Sequence, residues 1–443
     1  MATQTNQIRL NLFNGTMSSR QLVEKLGVSQ FTVSRALSEL GNDIIRLGSA
    51  RSIHYAMRDH FRGLPDIPVY RVSIEGTIRK IGVLIPVHPD GFVMHQEDGE
   101  TFHSDSIPWW ILDMLPQGYL GRTYAARHAP MLGLSPKLNE WTDTESIRAL
   151  LTIGHDTVGN LLLGDISRDS FLAHEPVLIE NKAESYTKLA IEASKGDIPG
   201  SSAVGEQPKF TAYAMTPQGS QHVLVKFSEA ENNSMTTRWR DLLLAEHVAL
   251  ETLHDAGVPA SKTSVIDNGH QRFLEVERFD RVGKLGRRAV HSLKSLDAEF
   301  VGDATAAWPV ITQKLVRSGQ ILPKSANIAG LLWAFGKLIG NTDMHNGNLS
   351  FIGEHGIPFD IAPAYDMTPM AFAPKSSGSL SNTIPELNMG SAVTHQIWQR
   401  ALALGHDYLS RMNQSQFSDS FIECIAALEQ HLEKSAIKIS RLD

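Results

Sequence analysis

The sequence predicts an α+β protein of several domains, and three observations carry that class. The chain has 443 residues, beyond the roughly 100–200 of one domain. Apolar residues recur in some stretches at helical spacing and in others at every second position. Hydrophobic residues make up 42% and charged residues 20%, a balance that builds cores and excludes disordered or fibrous classes. Lys and Arg number 41 against 48 Asp and Glu, a net charge of −7. That excludes a chain that coats nucleic acid over its whole surface, while a local basic patch stays open. One cysteine, Cys424, excludes an internal disulfide and a Cys-rich metal site and suits a reducing compartment. The polar opening MATQTNQIRLNLFNGTMSS lacks the apolar heart of a secretory signal. No stretch reaches about 18 apolar residues, so a cytoplasmic protein without membrane contact is expected. The expected segments are 1–65, 66–182, 183–280 and 281–443.

Residues 1–62 hold eight Lys/Arg and four Asp/Glu, a basic segment in an acidic protein. Ser18 and Ser19 are placed to cap a helix through RQLVEKLG, Gly27 to end it, and Ser29 to cap a second helix, QFTVSRALSEL. This is a helix-turn-helix plan. Val33 and Leu37 face inward; Gln30, Phe31, Ser34, Arg35 and Ser38 lie on the outer face. DIIRLGSARSIHYAM reads as a hairpin with Arg46 and Arg51 near its tip, the wing of a winged helix-turn-helix. Gln30, Thr32, Ser34, Arg35 and Arg51 are the candidate DNA contacts, through base edges and phosphate. A small module for protein contacts is the alternative. A two-fold dimer on a palindromic site would suit such a domain.

From Pro68 to Gly164 an α+β unit is expected. VYRVSIEGTIRKIGVLIP and FVMHQEDGETFH read as hairpins, and DSIPWWILDMLPQGYLGRTYAARHA as helical. Trp109 and Trp110 are core candidates, His155 and Asp156 belong to a turn, and Arg122 and Arg127 have no assigned partner. ESYTKLAIEASKGDIPG is a helix ending in Gly and Pro.

Four motifs in the last half fit one chemistry. The small-residue loop from Ser201 to Lys209 precedes a strand and can cradle phosphate on backbone N–H groups, with Lys209 adding charge. In HVLVKFSEA, Lys226 interrupts an apolar strand and needs a partner or an anion, unless the strand is an edge and Lys226 exposed. Glu246, in the helix LLLAEHVALETLHDAG, stands twenty residues further on and can pair with it. FLEVERFDR supplies a strand and a charged turn. In NTDMHNGN, Asp343 and Asn348 are five positions apart, the spacing of the protein-kinase catalytic loop: Asp343 to accept a hydroxyl proton, Asn348 to hold Mg²⁺. Asp366, in AYDM, provides a second oxygen ligand for Mg²⁺. The fold expected is two-lobed and kinase-like.

On NTDMHNGN, AYDM and ERFDR, the chain resembles the HipA family of bacterial serine/threonine kinases, toxins of type II toxin–antitoxin systems, over roughly residues 68–440. The resemblance implies a HipA-like two-lobed fold, ATP and Mg²⁺ as cofactors, and phosphoryl transfer to a protein hydroxyl. It implies a phosphate loop at Ser202, Val204, Gly205, Gln207 and Lys209, with Ser202 as an autophosphorylation site that switches the enzyme off. It places adenine around Glu277 and Phe279 and adds His345 to the ATP-binding residues. An aminoacyl-tRNA synthetase as substrate, and growth arrest as outcome, follow by analogy. Pro208 replaces an acidic loop residue and removes one N–H donor. The fused N-terminal domain matches the longer, YjjJ-like form of the family.

Two other classes compete. One is a transcription regulator with a silent kinase-like domain, which predicts DNA binding without phosphoryl transfer. The other is a Mg²⁺-dependent nuclease built on the Asp/Asn/His cluster, which has no use for a phosphate loop and a strand lysine. The C-terminal segment is helical and amphipathic, with Cys424 a core thiol and His395 and His406 given no function.

Overall fold

The computed structural model describes residues 2–48, 53–195, 207–375 and 377–442. Its contacts group into two compact units: Met1–Ser73 with Thr77–Leu115 and Glu140–His174, and Ile74–Gly76 with Pro116–Asn139 and Glu175–Asp443.

The first unit opens with α1 (Ala2–Leu12), strand β1 (Met17–Ser18), α2 (Ser19–Leu26), α3 (Gln30–Leu40) and the hairpin β2 (Ile44–Leu47) and β3 (His54–Met57). Ser18 caps α2 in a reciprocal box with Gln21, Gly27 closes it at φ 64°, and Ser29 caps α3. Leu22, Val33, Ala36, Leu37 and Leu40 are buried with Ile8 and Leu12 of α1. β1 joins the hairpin in a sheet ordered β1-β3-β2. Ile45, Leu47 and Ala56 share a core with Ile85, Val87 and Val93, so the hairpin is sealed by the sheet that follows. That sheet contains β4 (Ile67–Val72), β5 (Ile78–Val87), β6 (Gly91–Gln96) and β7 (Thr101–Ser104). The chain then gives α4 (Gly118–Leu132) to the second unit and returns with α5 (Asp143–Ile153), β8 (Leu161–Leu163) and α6 (Asp165–Ala173). The sheet order is β7-β6-β5-β4-β8, antiparallel throughout. His155 and Asp156 lie in a turn, and Trp110 packs against the core of this sheet. Buried Asp59 accepts from the backbone N–H groups of Phe61 and Arg62 and pairs with the Arg62 guanidinium, which also donates to the carbonyls of Val87, Asp90 and Gly91.

The second unit is two-lobed. Its small lobe holds β9 (Leu178–Ile179), α7 (Lys182–Ser194), β10 (Lys209–Thr216), β11 (Gly219–Phe227), α8 (Ser234–Asp255), β12 (Thr263–Asn268) and β13 (Gln271–Glu277). The strands run in the order β12-β13-β11-β10-β9. Alternation along β11 sends Val223, Val225 and Phe227 into a core with Phe210, Phe273 and Tyr186, while Leu274 and Val276 meet Leu243 of α8. A short ribbon, β14 (Arg281–Val282) and β15 (Gly286–Arg287), leads to the large lobe. That lobe comprises β16 (Val290–Ser292), α9 (Leu293–Phe300), α10 (Trp308–Arg317), α11 (Pro323–Ile339), β17 (Ser350–Ile352), β18 (Asp360–Ile361), α12 (His395–Gln414) and α13 (Ile422–Ile439). Trp308, Phe335, Trp398, Tyr408 and Leu428 are buried in its core, with Cys424 among them. No helix among the described residues is long and apolar enough to cross a membrane.

Candidate active site

Lys226 lies on β11, hydrogen-bonded on one side to β10 and on the other to β13. It is 3% exposed, so the exposed-edge alternative is overturned: the strand is central, and the side chain leaves the face opposite Val225 and Phe227. Its ammonium donates to both carboxylate oxygens of Glu246 at 2.7 Å and to Asp366 Oδ1. Glu246, buried in α8, also accepts from the Thr368 hydroxyl at 2.7 Å. Taking these charges out of water costs several kcal/mol per ion, and here one ammonium offsets that cost for two carboxylates, Glu246 and Asp366. Burial alone would lower the Lys226 pKa, but Asp366 and Glu246 hold it above the usual lysine value. Burial would raise Asp366, but Lys226, then Lys209 and His345, bring it down to about 2. Lys209 sits opposite Lys226 in the β10–β11 register.

Asp366 has a left-handed backbone, φ 54°, a region that Asp tolerates better than most residues. Asn341 donates from Nδ2 to its carbonyl at 3.0 Å. Asn341 belongs to the polar loop that α11 delivers. Gly340 ends that helix at φ 80°, its N–H bonded to the carbonyls of Gly336 and Lys337. Asn341 Oδ1 then accepts from the Asp343 N–H at 3.0 Å, and Asn348 Nδ2 donates to the Asp343 carbonyl at 2.8 Å. The Asp343 side chain is exposed, and among the described residues its carboxylate accepts no hydrogen bond. Asn348 is buried, and its Oδ1 is likewise unused among the described residues. His345 Nδ1 accepts from the Gly347 N–H at 3.0 Å, and Trp308 Nε1 donates to the His345 carbonyl at 3.2 Å. Tyr365 donates to the Gly347 carbonyl at 2.7 Å and meets the Phe279 ring at 5.7 Å. Phe279 therefore borders the segment that carries Asp366. Glu277, half-buried at the end of β13, is raised by burial.

Gln207 is buried with its Nε2 unpartnered among the described residues, and such a donor calls for an acceptor. Ser202, Val204 and Gly205 lie outside the described residues, as does Arg51. In α3, Gln30, Ser34 and Arg35 are exposed. Thr32 is half-buried and tied to the cap, its hydroxyl 2.9 Å from that of Ser29. Arg35 pairs with Glu39 at 3.5 Å. Sequence reasoning missed Thr368, Asn341 and Tyr365. Only Asn341 carried a signal, as a polar side chain just after a Gly cap in the loop already singled out.

Residues 64–172 match the model of the YjjJ-like toxin middle domain, and residues 201–432 that of the HipA-like C-terminal domain. Over 437 residues the chain is 34% identical to Toxin YjjJ of Escherichia coli (strain K12), covering 97% of this chain and 98% of that protein. The chain belongs to the HipA-like toxin family, in its YjjJ-like form. A chain from the solved complex of the Shewanella oneidensis MR-1 toxin–antitoxin system, HipA, HipB and operator DNA, superposes with a TM-score of 0.57 at 16% identity, over 84% of this chain and 97% of that one. The shared fold is two-lobed and kinase-like. In this HipA-like toxin the C-terminal match contains Lys209, Lys226, Glu246, Asp343, Asn348 and Asp366. Residues 1–63 fall outside both family models.

Proposed function

We propose that the chain is an ATP- and Mg²⁺-dependent protein serine/threonine kinase with a DNA-binding N-terminal segment, acting as a growth-arrest toxin. One observation carries the reading: a buried lysine is fixed between Glu246 and Asp366, and Asn341 ties Asp366 to the exposed Asp343, whose carboxylate accepts no hydrogen bond among the described residues. Mg²⁺-ATP supplies the transferable phosphoryl group and neutralises its charge. Asp366 and the amide oxygen of Asn348 are hard oxygen donors that suit Mg²⁺. Lys226 and Lys209 set positive charge against phosphate oxygens, and the buried Gln207 amide is assigned to phosphate together with Val204 and Gly205. Glu277 and Phe279 border adenine, and His345 stands at the phosphate side. Asp343 takes the proton of the acceptor hydroxyl. Ser202, in the loop, is the acceptor of a self-phosphorylation that switches the enzyme off, since added charge repels phosphate. In the N-terminal segment, Gln30, Ser34 and Arg35 form an exposed face on α3, and with Thr32 and Arg51 they constitute the DNA contact set.

Phosphate transfer to a mixed protein substrate tests the chemistry. Asp343→Asn lowers the rate by about 10²–10⁴-fold with ATP binding kept; equal rates in variant and parent would overturn the assignment. For DNA, Arg35→Ala weakens binding and reduces the salt slope by about 1. Binding that is insensitive to both salt and this change would exclude the N-terminal reading.

A further inference from the structure

The large lobe holds a cleft of about 590 Å³ beside the catalytic loop, and its described lining contains none of the residues assigned to nucleotide or metal. Thr342 forms one wall, and the chain after Asp366 forms the rest, with Met370, Ala371, Pro374 and Ile384 giving an apolar lining. The walls are held in place. Arg238, 1% exposed, donates to the carbonyls of Phe372 at 3.0 Å and Ser381 at 3.1 Å and to Asn382 Oδ1 at 2.9 Å. The Ala371 N–H bonds to the Gly340 carbonyl at 2.9 Å, and a Cβ on Gly340 would meet Ile384 at 3.1 Å. Lys375 is the one charged residue among the described lining residues; it is exposed and takes part in no ion pair among the described residues.

We propose that this cleft receives the stretch of protein substrate beside the acceptor serine or threonine, and that Lys375 selects an acidic side chain there. The inference rests on the kinase reading. Thr342 is bonded directly to Asp343, so a peptide seated against it brings its neighbouring hydroxyl to the base. The apolar lining takes one non-polar side chain, while hydroxyls at Thr342, Ser381 and Thr383 offer partners to an extended backbone. An exposed lysine in the lining of such a cleft complements a carboxylate, and it also disfavours a basic neighbour.

The test uses the full chain with Mg²⁺-ATP and a pool of serine peptides in which each flanking position is fixed in turn as Asp or Lys. The readout is the ratio of rates on paired peptides within each variant, which does not depend on how much of the protein is active. The wild type favours Asp at one flanking position by about two- to fivefold, the range of an exposed ion pair. Lys375→Ala removes that preference and Lys375→Glu inverts it. The same ratios in all three chains overturn the proposal. Phosphate on the protein's own chain with no discrimination among peptides overturns it alone; phosphate on neither chain nor peptide sinks the kinase reading with it.

Discussion

Lys226 answers to two carboxylates at once, so its removal is felt by both. In Lys226→Met, Glu246 and Asp366 lose their counter-charge, and the expected cost is about 3–5 kcal/mol, read as a shifted midpoint in chemical denaturation. An unshifted midpoint would mean that the pair is better solvated than its burial indicates. Thr368→Val leaves buried Glu246 with one donor fewer, at an expected cost of about 1–3 kcal/mol; Thr368→Ser keeps the hydroxyl and most of the stability. Lys226 and Glu246 were legible in the sequence because a charge inside an apolar strand, or on the apolar stripe of a helix, violates the local pattern and demands a reason. Thr368 violates nothing. A hydroxyl in a loop is ordinary, and only the fold brings it to Glu246, 122 residues away in the chain.

The element that aims the proposed catalytic loop is the end of α11. Gly340 holds φ 80°, and a Cβ there would approach Ile384 at 3.1 Å, inside ordinary van der Waals contact, so Gly340→Ala is strained twice. It costs about 1–2 kcal/mol from the backbone alone, measured by thermal melting, with phosphate transfer falling further than stability because the Asn341–Asp343 geometry follows that turn. A melt unchanged by the substitution would remove Gly340 from this role. Elements with strong end signals were legible: Ser18, Gly27 and Ser29 bound α2 and α3 where the sequence placed them. α1 was not, because ATQTNQIRLNL carries little apolar periodicity and, among the described side chains, is recruited by two buried ones, Ile8 and Leu12. The cleft walls at 370–385 were equally silent. Their described residues have almost no regular structure, and a buried arginine from α8 ties Phe372, Ser381 and Asn382 together.

At the scale of the whole molecule, the expected border at 65/66 leaves no gap in contacts: the hairpin residues Ile45 and Leu47 are buried against Ile85 and Val93. Such a border is invisible in composition because both sides are ordinary core-forming sequence. Acid provides a test of the folded whole. Burial holds His88, His103, His247 and His431 below the usual histidine value. The unfolded chain therefore takes up protons first, near pH 6.5, and stability present above that pH is lost as the pH falls through the lower folded values. The melting temperature should drop between pH 7.5 and 5.5; a flat or rising profile would contradict that burial. Asp366, already ionised down to about 2, contributes nothing to this window.

The most direct measurement is the intact mass of the full chain after incubation with Mg²⁺-ATP, with the phosphopeptide mapped, beside Asp343→Asn. A phosphoryl increment in the wild type that maps to the loop at Ser202 and is absent from the variant is the expected result. An unmodified wild type that binds ATP, or a variant modified to the same extent, would contradict phosphoryl transfer by this site.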